Sequence, residues 1–393
     1  MFGVVEAIGL LILASIAVPL LDYLKELYST ASRDKSLSKA SKYLPIRRYS
    51  QYHLLNGYDV LIRAIGWNNS FRLLTNLTQL LRSTHKTFSI RIAGRTEIWT
   101  CEPELIKAVY STNFSDWELS TSRQLAFRPV VGLGAFATNG KTWHHGRSLI
   151  RPAFQRTTIA SSLTAFSQHF NDLVRCLPSD GRTIDLKPLL SLLALDNITD
   201  FLLGRSTNAL QPNVTPEIKD FMAALEYGKW GITVRGALGP LRSLYYSPGF
   251  NRACAKLHRF VDNCVDQAYA EGSAAALKDQ GAIDDDNIGA ESNGKTKKFI
   301  THLTDNTNDR KIIRDQLASN LAAGFDTTGG LMTTVFWLLS HSPRVMTALR
   351  KSIASLEGLE PTYTQLKSLE YVWWILNEGK LASNYVIGRK GFQ

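Results

Sequence analysis

Cysteine is scarce in this chain. The four present, Cys101, Cys176, Cys254 and Cys264, lie far apart with no paired spacing. That excludes a disulfide framework and fits a reducing compartment. Zinc-finger spacing is absent, as is any basic helix interleaved with aromatic residues, so nucleic acid is a poor match for the basic excess. The net charge is +11, from 45 Lys and Arg against 34 Asp and Glu. It permits an acidic partner or an anionic membrane surface, and most of it reads as a solvated basic face. No internal repeat is visible. Only one apolar run reaches membrane length, which excludes a multi-span transporter. What remains is ordinary for a globular protein: 44% hydrophobic and 20% charged residues over 393 positions. That length leaves room for one large domain or roughly two to three smaller ones.

The single long apolar run is FGVVEAIGLLILASIAVPLL, Phe2 to Leu21, with one charge at Glu6. As a helix it spans roughly 30 Å, the thickness of a hydrocarbon core. It lacks the basic n-region of a cleaved signal peptide and is longer than such a peptide's apolar core, so it reads as an uncleaved anchor over residues 1–24. Lys25, Arg33, Lys35, Lys39, Lys42, Arg47 and Arg48 follow it. The positive-inside rule then keeps the body in the cytosol, and the sequons at Asn76 and Asn197 never meet the glycosylation machinery. Residues 25–86 read as a connecting segment.

From Thr87 the pattern alternates: Phe88-Ser89-Ile90-Arg91-Ile92, a turn at Ala93-Gly94, then Glu97-Ile98-Trp99-Thr100. That predicts a β-hairpin. Pro103 opens a helix beyond it. Phe127 to Gly140 reads as a loop rich in Gly and aromatics, ending at the Asn139-Gly140 turn. Trp143 and Arg147 sit four apart on the helix that follows and so share a face. An indole N–H and a guanidinium together can hold an anion, and the competing reading is a cation–π pair on a core helix. His144 and His145 are adjacent and point apart, which argues against a metal pair. Residues 155–271 read as helical, with breaks at Pro178, Gly181, Pro212 and Pro240, and Gly272 to Lys298 as a polar, mobile surface insertion.

The chain is organised around Lys311 to Ser340, KIIRDQLASNLAAGFDTTGGLMTTVFWLLS. Leu317, Leu321, Gly324, Thr328, Leu331, Val335 and Leu338 form one helical stripe. The centre is poor helix material, since Gly324, Gly329 and Gly330 each cost roughly 1 kcal/mol against Ala and the threonines are β-branched. One explanation is a large flat ligand approaching the backbone closely. The other is a packed helix in which Thr327 bonds back to the carbonyl of Ala323.

The string Ala323-Gly324-Phe325-Asp326-Thr327-Thr328 resembles the oxygen-activating signature of the cytochrome P-450 monooxygenases. The hairpin followed by Pro103-Glu104-Leu105-Ile106, the stretch from Gly140 to Phe154, and residues 362–378 are similar to the same family. The resemblance covers residues 87–378 and is nearest to fungal types that hydroxylate alkanes and fatty acids. It implies a mainly α fold with a small β-sheet (α+β), here without its C-terminal part and with an N-terminal transmembrane helix added. It also implies a haem cofactor. Trp143 and Arg147 would hold a haem propionate, with Ala323 and Gly324 at the macrocycle. Asp326 and Thr327 would deliver protons for oxygen activation, and Phe136 and Ala322 would line the substrate pocket. An NADPH-dependent flavoprotein reductase at the basic face near Arg147, an apolar small-molecule substrate and the endoplasmic reticulum membrane complete the expectation.

Two departures from the family pattern accompany it. Glu378 is followed by Gly379-Lys380-Leu381 where the family carries Glu-x-x-Arg, so residues 379–393 read as an aberrant tail. None of the four cysteines has the glycines that flank the family's iron-ligating Cys, so the thiolate ligand is expected to be missing from this chain. A second reading therefore stands beside the enzyme: a non-catalytic, membrane-bound remnant without a haem ligand.

Overall fold

A computed structural model describes residues 46–49, 57–69, 73–84, 86–92, 95–239, 242, 245–281 and 298–390. The expected anchor, Phe2 to Leu21, lies outside them. Among the described residues no helix is long and apolar enough to cross a membrane. The chain divides into two compact units, one made of Met1–Trp117, Val234–Tyr246 and Gly388–Gln393, the other of Glu118–Thr233 and Ser247–Ile387.

The first unit carries helices α1 (Tyr58–Asn69) and α2 (Leu73–Ser83), strands β1 (Thr87–Ile92) and β2 (Arg95–Thr100), and the short helix α3 (Pro103–Lys107). The strands form the antiparallel hairpin that the alternation predicts, with Phe88 opposite Trp99 and Ile90 opposite Glu97. Period-two alternation puts Phe88 and Ile90 on one face, where they pack with Val60 of α1 and Leu80 of α2. Much of what read as a connecting segment is thus part of this small core. Pro103 stands in the first turn of α3, where its missing N–H costs nothing.

The second unit is helical. In chain order it holds α4 (Thr121–Val131), α5 (Gly140–Ile150), α6 (Arg156–Ser161), α7 (Leu163–Arg175), α8 (Leu186–Leu203) and α9 (Pro216–Leu238, within this unit as far as Thr233). Then come α10 (Pro248–Gly281), α11 (Phe299–Asn306), α12 (Arg310–Ser340), α13 (Pro343–Ile353), α14 (Tyr363–Ser368) and α15 (Glu370–Lys390). α12 is the centre and runs along α8, with α10, α4, α11 and α13 also against it. The side chain of Asp309 accepts from the backbone N–H groups of Lys311 and Ile312 and fixes where α12 begins, a cap worth about 1 kcal/mol. α8 buries Leu190, Leu193, Leu195, Leu202 and Leu203 together with Asp196 and Thr199, and ends at Gly204 in the left-handed conformation.

Three expectations change here. The supposed loop from Phe127 is helical through Val131, because Ser120 caps α4 and Ala126, Val130 and Val131 are buried. The loop proper is 132–139. The polar insertion begins later, since residues 272–281 continue α10; the Ala-rich run there has high helix propensity. The stripe along α12 is buried only as far as Leu321, beyond which Phe325, Gly329, Thr334 and Leu339 are the buried positions. α15 passes Glu378 without a break, and Gly379 lies close enough to α12 that a Cβ there would fall 2.4 Å from Val335 Cγ2.

Candidate active site

The predicted weak centre of α12 is an unbroken helix. Thr327 Oγ1 donates to the carbonyl of Ala323 at 2.7 Å, Thr333 to Gly329 at 2.7 Å and Thr334 to Gly330 at 3.0 Å, so each threonine spends its hydroxyl on its own helix. The glycines answer to helix packing. A Cβ on Gly324 would lie 2.8 Å from Ile198 Cδ1, and one on Gly329 would lie 3.1 Å from the backbone of Ser191. The close neighbour on that side is α8, so the packed helix, the second of the two explanations above, accounts for these small residues.

The other side of the same turn is open. Leu321 and Phe325 are buried, whereas Asp326, Thr327 and Thr328 are exposed, and Ala322, Ala323 and Gly324 are half-buried. Asp326 has a partner that the sequence did not announce. Lys229 Nζ of α9 lies 3.4 Å from Asp326 Oδ2, 2.9 Å from Glu226 Oε1 and 4.5 Å from the centre of the Phe325 ring. With the Asp326 side chain 61% exposed, this contact orients the carboxylate more than it stabilises the fold.

A second cluster faces the first half of α12. Asp315, Gln316 and Ser319 are 2%, 2% and 1% exposed. Burying such groups unpaired costs roughly 1–3 kcal/mol each. All three accept from the loop: Leu133 N donates to Asp315 Oδ2 at 2.8 Å, Ala135 N to Gln316 Oε1 at 3.2 Å, and Phe136 N to Ser319 Oγ at 3.3 Å. Asp315 Oδ1 also receives Arg314 Nε at 3.3 Å. Phe136, 41% exposed, thus has its backbone N–H anchored on Ser319, one helical turn before Ala322.

Trp143 and Arg147 lie on α5 four residues apart, as predicted. Trp143 is half-buried and edge-on to His144, with ring centres 4.8 Å apart, and Arg147 is exposed. Gly146 beside them backs onto α12, where a Cβ would fall 2.5 Å from Gln316 Nε2. Among the described residues no group of three or more His, Cys, Asp and Glu could hold a metal ion.

These residue types are chemically compatible with a haem, small residues toward its face and a cationic donor toward its propionates. Small residues and an exposed hydroxyl occupy a bare stretch of core helix, and an indole and a guanidinium stand together on the neighbouring α5. An iron-ligating thiolate is a different matter. Burial pushes the Cys264 thiol up to about 11, which keeps it protonated, and Cys254 is also buried on α10. Sequence reasoning missed Asp315, Gln316, Ser319 and Lys229. The first three lie off the Leu317–Leu321–Gly324 stripe, and their burial follows from this half of the helix being enclosed on all sides.

A helical unit around one long core helix, a hairpin earlier in the chain and the string Ala323–Thr328 at that helix's bare middle point to the class. The chain belongs to the cytochrome P-450 family, whose model matches residues 57–379. It is similar to the cytochrome P-450 monooxygenase himC of Aspergillus japonicus, at 31% identity over 359 residues, 90% of this chain and 62% of the relative. The cytochrome P-450 monooxygenase fsdH of Fusarium heterosporum is 33% identical over 332 residues, 82% of this chain and 56% of that protein. Cytochrome P-450 52A1 of Candida tropicalis is 30% identical over 310 residues, 75% and 54% of the two chains. The chain thus spans less than two thirds of the length of each of these relatives.

Proposed function

We propose that the chain forms the oxygen-activating side of a haem-dependent monooxygenase that inserts one atom of dioxygen into a C–H bond of an apolar substrate such as an alkane or fatty acid. The observation that carries this reading is the exposed Asp326-Thr327-Thr328 face in the middle of an otherwise buried core helix. Haem supplies the one-electron and dioxygen chemistry when bound. Trp143 and Arg147 would hold its propionate, and Ala323 and Gly324 would leave room for the macrocycle. Thr327 would move a proton by turning its hydroxyl away from Ala323, and Asp326, oriented by Lys229, would resupply that proton from solvent. Ala322 and Phe136 would exclude water and shape the pocket. Electrons would come from an NADPH-dependent flavoprotein reductase docked on the basic face near Arg147. Phe2 to Leu21 would hold the chain at the endoplasmic reticulum with its body in the cytosol.

The cysteine contexts favour a second reading, a membrane-bound remnant without a haem ligand. Haem titration of the 393-residue chain separates the two. The enzyme reading expects saturable haem binding that weakens at least severalfold in Trp143→Ala and Arg147→Ala. Equal haem affinity in both variants and the parent chain would contradict it. A carbon monoxide difference spectrum of the reduced complex reports the ligand, and a thiolate-type band would show that one of the four cysteines serves after all.

A further inference from the structure

Every backbone N–H from Gly132 to Ala137 has a hydrogen-bond acceptor, although the segment is neither helix nor strand. Gly132 donates to Arg128 O at 2.9 Å, Gly134 to Val131 O at 3.2 Å and Ala137 to Gly134 O at 2.9 Å. The other three N–H groups, of Leu133, Ala135 and Phe136, go to side chains of α12. A loop normally satisfies such groups with water, so this one has a fixed shape that α12 imposes.

Steric fit repeats the pattern. A Cβ at Gly132 would fall 2.1 Å from the Asp315 carboxyl carbon, and one at Gly134 would fall 2.3 Å from Ser319 Cβ. Gly132 also has φ +57, which side chains rarely adopt. Asp315 is steadied in turn by Arg314, whose Nη1 reaches Asp262 Oδ2 of α10 at 3.4 Å. The loop and helix are therefore a matched set of glycines and buried acceptors. Nothing in the proposed proton transfer uses that set.

We infer that Asp315, Gln316 and Ser319 are positioning residues that fix Phe136 beside Ala322 and Ala323 and thereby set how bulky an apolar substrate the site admits. This rests on the apolar-substrate reading above. Ser319 stands one turn before Ala322, about 5 Å along the helix axis. Releasing the Phe136 N–H from Ser319 frees the one aromatic residue of the loop from its anchor on the helix.

Amide hydrogen exchange on the full chain tests the tether without haem. Ser319→Ala and Gln316→Met should each speed exchange across residues 133–136 about tenfold while leaving the amides of α8 unchanged. Ser340→Ala, on an exposed turn of the same helix, is the control and should change nothing in the loop. Should Gln316→Met fail to fold, Ser319→Ala, which removes one oxygen, carries the test alone. Unchanged loop exchange in Ser319→Ala overturns the tether. The specificity role is read from dodecanoate and hexadecanoate binding to the same proteins: the ratio of the two affinities should shift at least threefold in Ser319→Ala. Faster exchange with an unchanged ratio overturns the specificity role and leaves a structural tether. If the parent chain binds neither acid, the apolar-substrate reading fails, whatever the exchange shows.

Discussion

The two halves of α12 bury their surfaces for different purposes. From Ile313 to Leu321 nearly every side chain is enclosed, apolar and polar alike, and Asp315, Gln316 and Ser319 bind the loop at 132–139. From Ala322 to Ser340 the helix touches α8 through Gly324 and Gly329 but leaves Asp326, Thr327, Thr328, Phe336 and Trp337 exposed. The lesson is that one helix can be a closed frame at one end and, on the function proposed above, a chemical face at the other. Stability and function should therefore separate along its length.

Truncation should show that separation most strongly. Leu321→Ala in the closed half should cost about 2–5 kcal/mol of unfolding free energy, because the enclosed site cannot collapse around the cavity. Leu331→Ala in the open half should cost less than half as much. Urea unfolding of the two variants checks this, and equal losses would erase the distinction between the halves.

Glycine substitutions probe the contact with α8 at an intermediate scale. Gly329→Ala sets its new methyl against the Ser191 backbone, which cannot move aside locally, and should cost roughly 1–2 kcal/mol. Gly324→Ala meets the far end of the Ile198 side chain, which can turn away. Its gain in helix propensity, about 1 kcal/mol, should offset the strain and leave stability nearly unchanged. A large loss at Gly324 would mean that Ile198 is held more rigidly than its packing implies.

Much of this was legible in the sequence, and the failures have a common cause. The hairpin followed from alternation around Ala93-Gly94, and the Thr327 to Ala323 bond from a spacing of four. Local periods report such contacts directly. The tether was illegible because Leu133 and Asp315 are 182 residues apart, and no period connects a loop amide to a distant carboxylate. Likewise, the stripe along α12 failed after Leu321 because a segment of Gly, Ala and Thr does not declare which side faces a neighbour.

A smaller, pH-dependent effect belongs to α7. His169 is buried, with Nε2 3.5 Å from Asp200 Oδ2, and Asp172 and Asp196 also act on it. The Asp200 carboxylate raises the imidazole above its ordinary 6.5, with burial opposing. A raised folded-state value means this contribution is complete below pH 6.5 and is lost as pH rises through the folded value. The urea midpoint should fall across that window, and the fall should be absent in His169→Gln. The same fall in His169→Gln would assign it to another group.

Thr327→Ala tests the central claim most directly. The substitution trades one back-bond for better helix propensity, so stability should change by less than about 0.5 kcal/mol. In the haem-loaded protein, the same variant should still consume NADPH through the reductase. Less hydroxylated product and more peroxide should then appear per NADPH. A destabilised Thr327→Ala protein with unchanged coupling would return Thr327 to the packing of the helix and contradict the account.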